Sequence, residues 1–85
     1  MTVALKEKIL VVDDEPSIRK YLQTLLEVDG YDVETVGSGK EALARINKGD
    51  RPDFIILDVL MAEMGGLETL QELMHLDRSL NVIML

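Results

Sequence analysis

The chain of 85 residues contains no cysteine, a single histidine (His75) and only two prolines. Without cysteine there can be no disulfide and no thiolate metal site, which agrees with a reducing, cytoplasmic setting. One imidazole with no thiol beside it argues against zinc chemistry and against Ser-His or Cys-His catalysis. No run approaches the roughly 20 apolar residues that span a bilayer, and no charged-then-apolar leader opens the chain, so no membrane role is expected. Positive charge is also scarce. Nine Lys and Arg stand against sixteen Asp and Glu, a net charge of −7, which disfavours direct nucleic-acid contact by this segment and favours cations.

What is present is ordinary for a folded protein: 47% hydrophobic and 29% charged residues, enough for one small domain. Residues 1–7 read as a loose lead-in. Two short apolar runs, Lys8-Ile9-Leu10-Val11-Val12 and Phe54-Ile55-Ile56-Leu57, are too short for helices and suit strands covered on both faces. Asp32-Val33-Glu34-Thr35-Val36 alternates polar with apolar, as a half-exposed edge strand does. Asn81-Val82-Ile83-Met84-Leu85 reads as a fourth strand.

Between these runs the apolar period lengthens to that of a helix. The first helix begins near Pro16, with Asp14 placed to cap it and Ile18, Leu22, Leu25 and Leu26 on its inner face. Asp29-Gly30 ends it. The second runs roughly from Lys40 to Lys48 with Ala42, Leu43 and Ile46 inward. The third follows Gly65-Gly66 with Leu67, Leu70, Leu73 and Met74 inward. The order is therefore βαβαβαβ. Helix-length connections demand parallel strands and right-handed crossovers, and the edge character of the second strand gives the order 2-1-3-4.

In such a doubly wound sheet, ligands bind at the carboxyl ends flanking the point where strand order reverses, here between the first and third strands. Those two ends carry Asp13, Asp14 and Asp58. A lone acid would read as a turn or cap residue, but three converging acids repel unless a cation joins them. Hard oxygen donors suit Mg²⁺.

The segments Ile9-Leu10-Val11-Val12-Asp13-Asp14-Glu15, Phe54-Ile55-Ile56-Leu57-Asp58-Val59-Leu60-Met61 and Gly66-Leu67-Glu68 resemble the receiver domain of bacterial two-component response regulators, a CheY-like, flavodoxin-type fold. The resemblance spans the chain, so residues 1–85 are expected to be the N-terminal portion of one receiver domain. It implies that Asp58 accepts a phosphoryl group from a histidine kinase or phosphotransfer protein. It also implies that Asp14 binds Mg²⁺ directly, Asp13 directly or through water, and that the main-chain carbonyl of Leu60 completes the protein ligands. Receivers catalyse their own phosphorylation and dephosphorylation.

Two departures bear on activity. Ala62 stands where the family usually has Pro, which loosens the turn. The family's Ser or Thr after strand four and Lys after strand five would fall beyond Leu85, and none of Lys6, Lys8, Lys20, Lys40 or Lys48 reads as a substitute. The expectation is a fold without the fifth strand and last two helices, impaired in phosphorylation, that self-associates through strand four and the uncovered face. The alternative function is a receiver remnant that only binds or dimerises.

Other features have plainer readings. Gly37-Ser38-Gly39-Lys40-Glu41-Ala42 satisfies the spacing of a dinucleotide fingerprint but follows an edge strand, so it reads as a tight turn into a helix. It also fails as a P-loop, because Glu41 stands where Ser or Thr must hold Mg²⁺. Arg19 and Lys20 read as a solvated helix face, with kinase docking as the alternative. Met61, Met64, Met74 and Met84 read as packing, and His75 as a surface residue.

Overall fold

The computed structural model describes residues 6–85; most of the lead-in expected over residues 1–7 lies outside them. Strand β1 is Lys8–Val12, helix α1 Pro16–Val28, β2 Asp32–Val36, α2 Gly39–Asn47, β3 Phe54–Leu57, α3 Gly66–Leu76 and β4 Val82–Met84. All four strands are parallel, in the order β2-β1-β3-β4. This is the flavodoxin-like α/β arrangement expected from the alternation of patterns. Among the described residues no helix is long and apolar enough to cross a membrane.

Side-chain alternation along the strands divides the core into two layers. On one face Leu10, Val12, Ile55 and Leu57 pack with Ala42, Ile46 and Leu73, from α2 and α3. On the other, Ile9, Val11 and Val33 pack against Leu22 and Leu26 of α1. Met61, Met74 and Met84 pack against the first layer. β2 is half exposed as an edge strand should be, with Asp32 and Glu34 outside and Val33 and Val36 buried in opposite layers.

Several side-chain assignments differ from the sequence reading. Ile18 and Leu25 are 43% and 48% exposed, because the buried side of α1 is centred on Leu22 and Leu26, and these two residues lie at its margin. Leu67 is 65% exposed and Thr69 is fully buried. The stripe that α3 buries is Gly66, Thr69 and Leu73, since the start of α2 approaches so closely that a Cβ on Gly39 would collide with the Thr69 hydroxyl oxygen. That hydroxyl donates to the Gly65 carbonyl at 2.9 Å, so its burial leaves no polar atom unsatisfied. Finally, the N-cap of α1 is Glu15 and makes no side-chain cap bond; Asp14 is engaged elsewhere.

The glycine turn after β2 is structural. Ser38 caps α2 by accepting from the Glu41 N–H at 3.2 Å, and the Glu41 carboxylate accepts from the Gly37 N–H at 3.2 Å. Gly30, with φ of 95°, supplies the left-handed residue that ends α1, as its sequence position implies.

Candidate functional site

β1 and β3 are adjacent and in register, Val12 opposite Leu57, so the residues that follow them emerge side by side. The Asp58 N–H donates to the Val12 carbonyl at 3.0 Å, and the Asp13 N–H donates to the Val36 carbonyl at 3.2 Å. The sheet ladder thus runs to the edge of the site and fixes where each acid begins. Carboxylate oxygens of Asp13, Asp14 and Asp58 all lie within 4.8 Å of one another. Asp13 is buried, Asp58 partly buried and Asp14 exposed.

Each carboxylate is held by a backbone donor. Asp13 Oδ1 accepts from the Glu15 N–H at 2.9 Å, and Asp58 Oδ1 accepts from the Leu60 N–H at 3.1 Å. Asp14 Oδ2 accepts from the Ala62 N–H at 2.8 Å. That bond draws Asp14 away from the α1 terminus and ties the loop after β1 to the loop after β3. Gly66 closes the second loop: its N–H donates to the Val59 carbonyl at 3.1 Å, and a Cβ there would lie 2.6 Å from Val59 Cα and collide with the Asp58 carbonyl oxygen. An open groove continues from Asp14 between Gly37-Ser38 and Met61-Ala62.

Burial pushes the Asp13 carboxyl above its ordinary value; the Glu15 N–H opposes this, and the Asp58 and Asp14 charges add to it. A carboxyl whose pKa is raised by folding favours the folded state while protonated, and that contribution is lost as pH rises through the folded value. In metal-free solution Asp13→Asn should therefore melt at a higher temperature than wild type at neutral pH. The gap should close as pH falls below the ordinary carboxylate range. Equal pH profiles of Tm for the two chains would contradict this.

The acids were legible in the sequence. Arg19 was not. Rather than lying in solvent, it is partly buried, and its Nη1 donates to the Asp13 carbonyl at 2.6 Å. Its spacing from Leu22 and Leu26, i, i+3 and i+7, puts it on the buried side of α1 and was the available signal.

The response regulator receiver domain model matches residues 9–85. The chain belongs to the receiver domain family. Among curated relatives, this receiver is 48% identical over 68 residues to a probable transcriptional regulator, ycf27, of Porphyridium aerugineum, covering 80% of the chain and 28% of that protein. It is 42% identical over 81 residues to the alkaline phosphatase synthesis transcriptional regulatory protein PhoP of Bacillus subtilis, covering 95% and 33%. The receiver thus spans about a third or less of these relatives. Among solved structures, response regulator protein TrrA of Thermotoga maritima superposes with a TM-score of 0.86 at 38% identity, covering 92% of this chain and 67% of TrrA. TrrA was solved there in complex with Mg(2+)-BeF, and also in complex with the histidine kinase ThkA.

Proposed function

We propose that residues 1–85 are the N-terminal portion of a receiver domain whose phosphoacceptor is Asp58, taking a phosphoryl group from a histidine kinase or phosphotransfer protein in the cytoplasm. The observation that carries this reading is the convergence of three carboxylates, from the ends of two adjacent strands, within 4.8 Å. Unpaired, such a cluster is electrostatically costly, so a cation is its natural complement. Three hard oxygen donors, one of them buried, fit Mg²⁺. Asp13, Asp14, Asp58 and the Leu60 carbonyl would hold it. When bound, Mg²⁺ supplies positive charge that offsets both the acids and the incoming phosphoryl oxygens.

The residues of the chain supply the rest. The Leu60 N–H holds Asp58 Oδ1 at 3.1 Å and so orients the carboxylate. An Asp58 oxygen attacks phosphorus, the bond from phosphorus to the kinase imidazole nitrogen breaks, and the product is an aspartyl phosphate with the imidazole released. The acyl phosphate would form beside the α3 start and the groove, where a change of charge can reach both loops. The complex of TrrA with a histidine kinase supports the choice of partner.

Metal binding is tested by Mg²⁺ titration followed through amide resonances. Saturable shifts are expected at Asp13, Asp14 and Asp58 and into the Leu60–Ala62 turn. Asp14→Asn should remove most of the binding, because it deletes a charge as well as a ligand. No shift near the three acids in wild type would overturn the metal assignment.

A second copy of the chain is the further partner that we propose. β4 pairs only with β3 among the described residues, leaving its outer edge open. Ile83 registers with Ile56, on the α1 side of the sheet, and is 48% exposed, as Leu85 is at 60%. Ile18 and Leu25 of α1, the helix packed on that side, are exposed as well, so that side of the sheet offers apolar surface for association. In solution the 85 residues should self-associate through it, two-fold pairing being the commonest closed form. Light scattering over a dilution series tests this; a monomer at every concentration would contradict it.

A further inference from the structure

We propose that Arg19 is a positioning residue of the acidic site, holding the Asp13 peptide in place through its carbonyl, and that position 37 is glycine to leave room for the guanidinium. The consequence for metal affinity rests on the Mg²⁺ assignment; the positioning itself does not.

The geometry around Asp13 is the first ground. Its N–H is held by the Val36 carbonyl at 3.2 Å, its carboxylate by the Glu15 N–H at 2.9 Å, and its carbonyl by Arg19 Nη1 at 2.6 Å. The first two bonds leave the carbonyl of the peptide between Asp13 and Asp14 without a partner. The third fixes it, and a donor that carries full charge makes a shorter and stronger bond than a neutral one. That peptide joins the two acids, so a tilt of it would be felt both at Asp13 and at the Asp14 carboxylate's bond to the Ala62 N–H. Arg19 acts on both acids without touching either carboxylate.

Gly37 is the second, independent ground. Its φ does not fall in the left-handed region, where only Gly30 and Gly49 lie among the described residues, so its backbone gives no reason for glycine. A Cβ there would stand 3.2 Å from Arg19 Nη1 and 3.6 Å from Cζ. The guanidinium is the far end of a flexible chain and must give by a few tenths of an ångström, and the atom met first is Nη1, the one that donates to the Asp13 carbonyl. The loop after β2 thereby sets whether Arg19 can reach the site.

The experiment compares Arg19→Met, Gly37→Ala, the double variant and Arg19→Lys in the 85-residue chain. In metal-free solution, Arg19→Met and Gly37→Ala should move the Asp13 carbonyl-carbon and Asp14 amide resonances in the same direction. Each should weaken Mg²⁺ binding by about 10-fold or more, the usual effect of losing a partner behind a metal ligand. The double variant should do no more than the stronger single one, because both break one contact. Arg19→Lys keeps a cationic donor and should restore most of both signals. Should Arg19→Met fail to fold, Gly37→Ala against Arg19→Lys makes the same comparison. Unmoved Asp13 and Asp14 resonances, or additive effects in the double variant, would overturn the proposal. If wild type binds no Mg²⁺, the metal assignment fails while the resonances still decide the positioning.

Discussion

A chain carrying Asp58→Ala will take up no phosphoryl group from a small acyl-phosphate donor, and the unaltered 85 residues will take it up slowly. The complete loss follows from the proposed chemistry, in which Asp58 is the one nucleophile, Asp13 being buried and Asp14 held by the Ala62 N–H. The slowness follows from electrostatics. A net charge of −7 and a cluster of acids oppose an anionic donor. The family's compensating Lys lies after a fifth strand, and losing one group that stabilises charge in a transition state typically costs about 10²–10³ in rate. An intact-mass time course, run beside a longer receiver chain that includes that Lys, measures both effects. Rapid stoichiometric labelling of the 85 residues would refute the claim about the cation.

Gly66→Ala will destabilise the fold strongly, while Gly65→Ala, one residue earlier, will do almost nothing. A Cβ on Gly66 meets backbone, namely the Asp58 carbonyl and Val59 Cα at 2.6 Å, whereas one on Gly65 meets nothing within 4 Å. Backbone cannot swing aside as a side-chain end can, so the start of α3 must shift or the loop must open. Overpacking of this kind typically costs about 1–3 kcal/mol, a large share of what a small domain has. For a domain of this size that corresponds to a fall in Tm of about 4–8 °C per kcal/mol. Because the clash falls on the carbonyl of Asp58, the proposed acceptor and metal ligand, Mg²⁺ affinity should fall with Tm in Gly66→Ala and hold in Gly65→Ala. Equal melting of the two variants would contradict this packing.

Much of this was legible because each signal was local. The Phe54–Leu57 run is bounded by Pro52 and Asp58, so strand and candidate acceptor could be read together, and the polar alternation of Asp32–Val36 marked the edge. Strand order then brought Asp13 and Asp14 to Asp58. What escaped depended on partners distant in sequence. Asp14 reads locally as a helix cap, but its carboxylate meets the N–H of Ala62, 48 residues away. Leu67 reads as core by its apolar character, yet α2 presses on the side of α3 where Thr69 lies. Arg19 was read by its charge, although its spacing placed it with Leu22 and Leu26. Ile18 and Leu25 read as core by periodicity, which cannot say how wide a stripe the neighbouring sheet will cover.

The most direct test is to treat the chain with a small acyl-phosphate donor, with Mg²⁺ and with a chelator, and to locate any adduct by peptide-resolved mass spectrometry. The proposed site predicts a phosphoryl group on Asp58 alone, formed slowly with Mg²⁺ and not in its absence. Labelling on Asp13, Asp14 or another residue, or labelling of Asp58 undiminished by the chelator, would contradict it.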